Sequence, residues 1–214
     1  MMPRRFKVDL DPANTSNIVF ANGAEGATFT LTANTNPDGL AHVVTITGEE
    51  AANHEAKTCV LVGTDADGRA QTETVNLPNG TATVTSTKHF LTLTSATPSA
   101  TTGTDGMDIG CGDDIVSVTY PLNHWSDVAA PCLVEVTGTI NYDVELTFDP
   151  PNRPKEFTWT DQSTPVWVNS TNMTNKTASL FSTLDVGAYA ARFRINTYTD
   201  NAEIQGWISQ TESS

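Results

Sequence analysis

Positive charge is scarce in this chain. Only 11 of its 214 residues are Lys or Arg, against 25 Asp and Glu, which leaves a formal charge of −14. That balance excludes unaided binding to DNA or RNA, because phosphate contacts need a basic surface. Long apolar runs are also missing, so no segment reads as a membrane span. The basic start Met1-Met2-Pro3-Arg4-Arg5-Phe6-Lys7 continues into Val8-Asp9-Leu10-Asp11-Pro12, where a signal peptide would need an apolar stretch. The expectation is a protein made and folded in the cytoplasm. Cysteine is limited to Cys59, Cys111 and Cys132, an odd number with no CxxC and no His at ligand spacing. Neither a disulfide framework nor a zinc site fits that pattern, and the three read as small buried hydrophobes. The Asn-x-Ser/Thr sequons are what chance gives in a chain rich in Asn and Thr.

Motifs that carry chemistry are absent as well. There is no GxSxG, no phosphate-binding glycine loop and no HExxH, since His54-Glu55 is followed by Ala56-Lys57-Thr58. His42, His54, His89 and His124 are scattered. Asp65 and Asp67 flank a turn and lack the further oxygen ligands and late Glu of a calcium loop. Glu49-Glu50 and Asp113-Asp114 both fall in expected loops. Two distant carboxylates would suffice for glycoside hydrolysis, but most acidic side chains simply solvate a surface. The expectation is a non-enzymatic protein with no catalytic residue, no metal and no cofactor.

What the chain has in quantity is threonine, at 35 residues. Thr is β-branched and suits the half-exposed pleats of strands. Thr28-Phe29-Thr30-Leu31-Thr32, Val44-Thr45-Ile46-Thr47 and Phe90-Leu91-Thr92-Leu93-Thr94 alternate with the period of two that marks a strand with one wet face. Turn signals separate the runs at Asn22-Gly23, Pro37-Asp38-Gly39, Asp67-Gly68, Pro78-Asn79-Gly80 and Asp105-Gly106. The clearest hairpin joins Cys59–Thr64 to Arg69–Val75 through Asp65-Ala66-Asp67-Gly68. Residues 48–57 hold good helix formers but form one short stretch, read as a polar loop. The fold predicted is all-β, an antiparallel sandwich or barrel in two lobes: an N-terminal arm over residues 1–12, a Thr-rich lobe over 13–114 and an aromatic-richer lobe over 115–214. A single continuous sandwich is the alternative. No repeat of fixed period argues for a solenoid.

Two features suggest contacts. Arg4, Arg5 and Lys7 concentrate basic charge in the expected arm, which could order against a negative partner. In Ala191-Arg192-Phe193-Arg194-Ile195-Asn196, Phe193 and Ile195 share one strand face, so Arg192 and Arg194 share the other. That basic stripe would meet acids either on its own sheet or on a neighbouring subunit. In the second lobe Tyr142, Val144, Leu146 and Phe148 likewise alternate with Asn141, Asp143, Glu145 and Thr147. Pro150–Pro154 reads as a stiff, exposed connection. His124-Trp125 could form a small aromatic corner, while Trp159 and Trp167 are candidates for stacking on sugar rings.

Residues Val60 to Val75, with Gly63-Thr64-Asp65-Ala66-Asp67-Gly68 and Gln71-Thr72-Glu73-Thr74, then Pro78-Asn79-Gly80 and Thr85-Ser86-Thr87-Lys88-His89-Phe90, resemble a pattern of small β-rich structural proteins of tailed bacteriophages. The likeness covers roughly residues 40 to 110 and carries no activity. It implies a virion component: a capsid decoration or cement protein, or a head–tail or tail-associated part. Cement proteins of that kind commonly act as trimers, so the resemblance also implies copies of the chain itself and the major capsid protein as partners. A carbohydrate- or receptor-binding module is the competing reading.

Overall fold

The computed structural model describes residues 4–13, 16, 18–123, 128–149, 165–199 and 201–210, with Arg4 described by its backbone only. His124-Trp125, Trp159 and the 150–154 connection lie outside the described residues. Among the described residues there are fifteen strands and no helix, and every pairing between strands is antiparallel. In chain order they are β1 (Arg4–Leu10), β2 (Ala21–Ala24), β3 (Ala41–Gly48), β4 (Thr58–Thr64), β5 (Ala70–Asn76), β6 (Thr83–Phe90), β7 (Thr92–Pro98) and β8 (Met107–Val116). They continue as β9 (Tyr120–Pro121), β10 (Pro131–Thr137), β11 (Ile140–Thr147), β12 (Val168–Asn169), β13 (Leu180–Thr183), β14 (Ala190–Tyr198) and β15 (Glu203–Gln210). The chain divides into two compact units, Ala13–Val116 and Met1–Pro12 with Ser117–Ser214.

In the unit Ala13–Val116, β2, β8, β3 and β6 form one sheet, and β5, β4 and β7 form another. Phe20, Ile46, Leu61, Phe90, Leu93 and Ile109 are buried in one shared core. The hairpin of β4 and β5 forms as its sequence predicts: the Asp65 side chain accepts the Asp67 and Arg69 amides at 2.9 and 2.8 Å, and Gly68 takes the positive φ of +77° that the turn requires. The alternating stretch around Leu91 is not one strand. Phe90 ends β6 beside β3, and Thr92 begins β7 beside β4, so Leu91 marks the passage between sheets. Thr28–Thr32 is no strand either. Phe29 NH reaches the Ala96 carbonyl while Thr32 NH reaches Phe20, and bonds aimed at different partners build no ladder. Asp113-Asp114, expected in a loop, lie within β8, whose Met107, Ile109 and Ile115 are buried. Glu49-Glu50 do leave β3 for a loop, where Glu50 accepts the Gly106 amide at 2.7 Å.

In the other unit, β1, β15, β10 and β13 form one sheet, and β12, β11, β14 and β9 lie in order in another. Tyr120 ties them, with its ring centroid 5.9 Å from Phe6 of β1 and 6.2 Å from Phe193 of β14. The first residues are therefore no arm. Arg4 through Leu10 pair with Gln210 through Ile204, and Val8 and Leu10 are buried. Phe6-Lys7-Val8-Asp9-Leu10 alternates apolar and charged residues, the strand signal that the clustered cations masked. Deleting residues 1–7 should therefore cost stability, by about 2 kcal/mol for the lost burial around Phe6. A denaturant melt of the truncated protein matching that of the full chain would contradict this.

Candidate functional site

The outer face of the β1-β15-β10-β13 sheet is where chemistry and exposure meet. The alternation Ile204-Gln205-Gly206-Trp207-Ile208-Ser209 sends Ile204 and Ile208 into the core, so Trp207 must stand on the outer side. Register then assembles a row across the sheet: Lys7 lies opposite Trp207, Trp207 opposite Leu133, and Leu133 opposite Phe181. Phe181 is 68% exposed, an unusual state for a phenyl ring on regular structure. One register step away Arg5 lies opposite Ser209. Arg5, Leu133, Glu135, Phe181, Trp207 and Ser209 line an open groove of about 400 Å³.

Of the five basic residues singled out by sequence, Arg5 and Lys7 belong to this face, and Arg4 continues the same strand. They differ in state. Lys7 gives its ammonium to Asp9 at 2.6 Å, whereas the Arg5 guanidinium meets no acceptor among the described residues. Trp207, Leu133, Phe181 and Glu135 escape a reading by composition, because nothing local says that three separate strands place them side by side. The one legible signal is Trp207 itself, sitting in phase with Gln205 and Ser209.

Arg192 and Arg194 are not brought to this face. They stand on β14 and converge on Glu145 of β11: Arg192 Nε donates to Oε2 at 2.6 Å and Arg194 donates to Oε1 at 3.4 Å. The Arg192 guanidinium also lies over the Trp167 ring, 4.3 Å from its centroid. Between the two accounts weighed from sequence, the geometry is that of acids on the same sheet. The supposedly wet face of β11 is in fact covered. Asp143 and Glu145 are 5% and 4% exposed, with Asp143 accepting the Asn175 amide and, at 2.8 Å, the Asn196 side chain. Each carboxylate accepts from two groups and so ties β11 to its neighbours. One face of the Trp167 ring is thus taken by Arg192.

Three of the scattered histidines each meet an aspartate, at three separate places: His42 with Asp38 at 2.8 Å, His54 with Asp105 at 3.0 Å and His89 with Asp114 at 2.9 Å. The first pair is sealed, with both side chains 2% exposed. His42 Nδ1 donates to the Gly112 carbonyl and Nε2 to Asp38, so the ring locks the 36–40 turn onto β3 and β8. His54 differs, because Lys57 donates to its Nδ1. Burial alone would raise Asp38. The hydrogen bond and charge of His42, helped by the Leu40 and Ala13 amides, outweigh that and hold the carboxyl below its ordinary value. A depressed carboxyl stabilises the fold above its unfolded pKa, about 3.9, and that contribution is lost as pH falls through the folded value. Asp38→Asn should therefore be less stable at neutral pH and should converge with the parent in acid. Urea melts across pH would show parallel curves if Asp38 played no such part.

Cys59, Cys111 and Cys132 are buried free thiols. Desolvation pushes Cys59 and Cys132 up to about 12, which leaves them unreactive as nucleophiles. Among the described residues no three His, Cys, Asp or Glu side chains are grouped to hold a metal ion.

No protein-family model matches the chain, and no curated protein matches it. Among solved structures it is matched to the major capsid protein P2 of bacteriophage PM2, at 12% identity and a TM-score of 0.20, covering 98% of each chain. A TM-score of 0.20 does not indicate a shared fold.

Proposed function

We propose that this protein is a non-enzymatic structural component of a phage virion, most specifically a capsid decoration (cement) protein. The observation that carries the reading is that the pieces of the phage-like sequence pattern form one physical device. Glu73, from the Gln71-Thr72-Glu73-Thr74 half, accepts the Thr87 amide and hydroxyl at 2.7 and 2.8 Å and the Lys88 amide at 2.8 Å, all from the Thr85–Phe90 half. Three bonds to one carboxylate tie the two halves of the pattern into one unit. The partners that this reading supplies are further copies of the chain, as in a trimer, and the major capsid protein, with no role for nucleic acid or membrane. The acidic surface suits a protein displayed at high density, since like charge keeps particles apart.

Copy number per particle decides the position. Quantitative mass spectrometry of purified virions should find hundreds of copies. A single ring's complement would assign the chain to the neck or tail instead, and its absence from virions would end the proposal.

A further inference from the structure

The outer face around Trp207 has the makeup of a ligand site, and nothing in the structural role above requires it. Its size argues first. Four strands about 4.8 Å apart, overlapping over about seven residues of roughly 3.3 Å rise, give a face on the order of 400 Å². A standard protein–protein interface covers about 800 Å² on each partner. The face is therefore small for a stable second copy, while the groove volume of about 400 Å³ falls within the roughly 300–1,000 Å³ of small-molecule sites.

Its chemistry argues next. Trp207 and Phe181 stand in register on either side of Leu133, an apolar, aromatic row of the kind on which the C–H face of a pyranose stacks. Ser209 and Glu135 stand on the rim as hydrogen-bonding groups for hydroxyls. Arg5 adds a guanidinium with no acceptor among the described residues, in a chain whose acids outnumber its bases 25 to 11. A planar five-donor cation left unpaired amid so many carboxylates is poised for a bidentate anion. Side chains that hydrogen-bond and stack around one open floor match a sugar, and the guanidinium matches a sugar acid.

We infer that the β1-β15-β10-β13 face binds a short oligosaccharide carrying a carboxylate, stacked on Trp207 with the acid on Arg5. The site lies in one unit and stands apart from any position in a particle.

Tryptophan fluorescence and calorimetric titrations of the full chain test it against a panel of trisaccharides. Neutral members would be the cello-, malto-, manno- and chito-trioses; acidic members would be tri-galacturonate, tri-mannuronate and sialyllactose. At least one acidic member should bind. Trp207→Ala should weaken it by more than about tenfold, and Arg5→Ala by about tenfold with loss of the acidic preference. Phe181→Ala, at an exposed ring, should also weaken binding while melting as the parent does, which guards against a folding defect in Trp207→Ala. Added salt should weaken the acidic ligand and spare any neutral one. The inference fails if no panel member binds, or if the bound sugar is indifferent to Trp207→Ala and Phe181→Ala. It fails equally if light scattering shows self-association that Trp207→Ala abolishes, because a second copy would then own the face.

Discussion

Replacing Glu145 by alanine will lower stability by about 3–4 kcal/mol, the usual cost of removing one partner of a buried ion pair. Glu145 is 4% exposed and is the shared carboxylate of Arg192 and Arg194. Without it two neighbouring guanidiniums of β14 lose their shared carboxylate, while Arg192 keeps its contact with Trp167. The reciprocal change is more severe. Arg192→Glu with Arg194→Glu would set three carboxylates together beside Asp143 and remove the two cations that Glu145 meets. Both variants should melt early. Light scattering on the same samples separates this from a subunit role: a dissociated but equally stable protein would mean that the arginines serve a neighbouring subunit after all.

Gly63→Ala should cost about 3 kcal/mol, at the upper end for overpacking. A Cβ at this position would fall 1.9 Å from the Thr92 carbonyl oxygen and 3.0 Å from the Phe90 ring. Thr92 O is backbone, held in the β4–β7 pairing where the register shifts between Val62 and Gly63, so it cannot swing aside. Gly68→Ala is the control. Its Cβ would meet nothing within 4 Å, and its penalty comes only from a φ of +77°, about 1 kcal/mol. Equal losses at the two sites, measured by urea melts, would refute the close-approach argument.

Much of the fold was legible because period two is a local signal. The β4–β5 hairpin, the all-β class and the Phe193/Ile195 face all follow from residues within one strand of each other. What sequence pattern could not supply was which strand lies beside which. Thr28–Thr32 alternates as well as any strand, yet it misses a ladder because its bonds go to Phe20 and Ala96. The alternation in β11 puts Asp143 and Glu145 on one face but does not say what covers it, because Asn175, Arg192 and Asn196 come from positions far along the chain. The candidate site was hidden for the same reason. Arg5 was legible as a noteworthy cation, but Leu133, Phe181 and Trp207 become neighbours only through register across three strands.

The pairing of β1 with β15 also sets an order in time. Residues 13–116 can begin to pair as soon as they have emerged, because each of β2 to β8 has a partner strand within that span. β1 has no such luck: its partner, Glu203–Gln210, is synthesised long after Leu10. At about 5–20 residues per second, β1 waits roughly 10 s or more as an unpaired strand on the ribosome. A bare edge is an invitation to pair wrongly with the neighbouring nascent chains of a polysome, and charged side chains are the common defence. Arg5, Lys7 and Asp9 alternate along it, so the residues that give the finished sheet its charged rim also keep the waiting strand from finding the wrong mate.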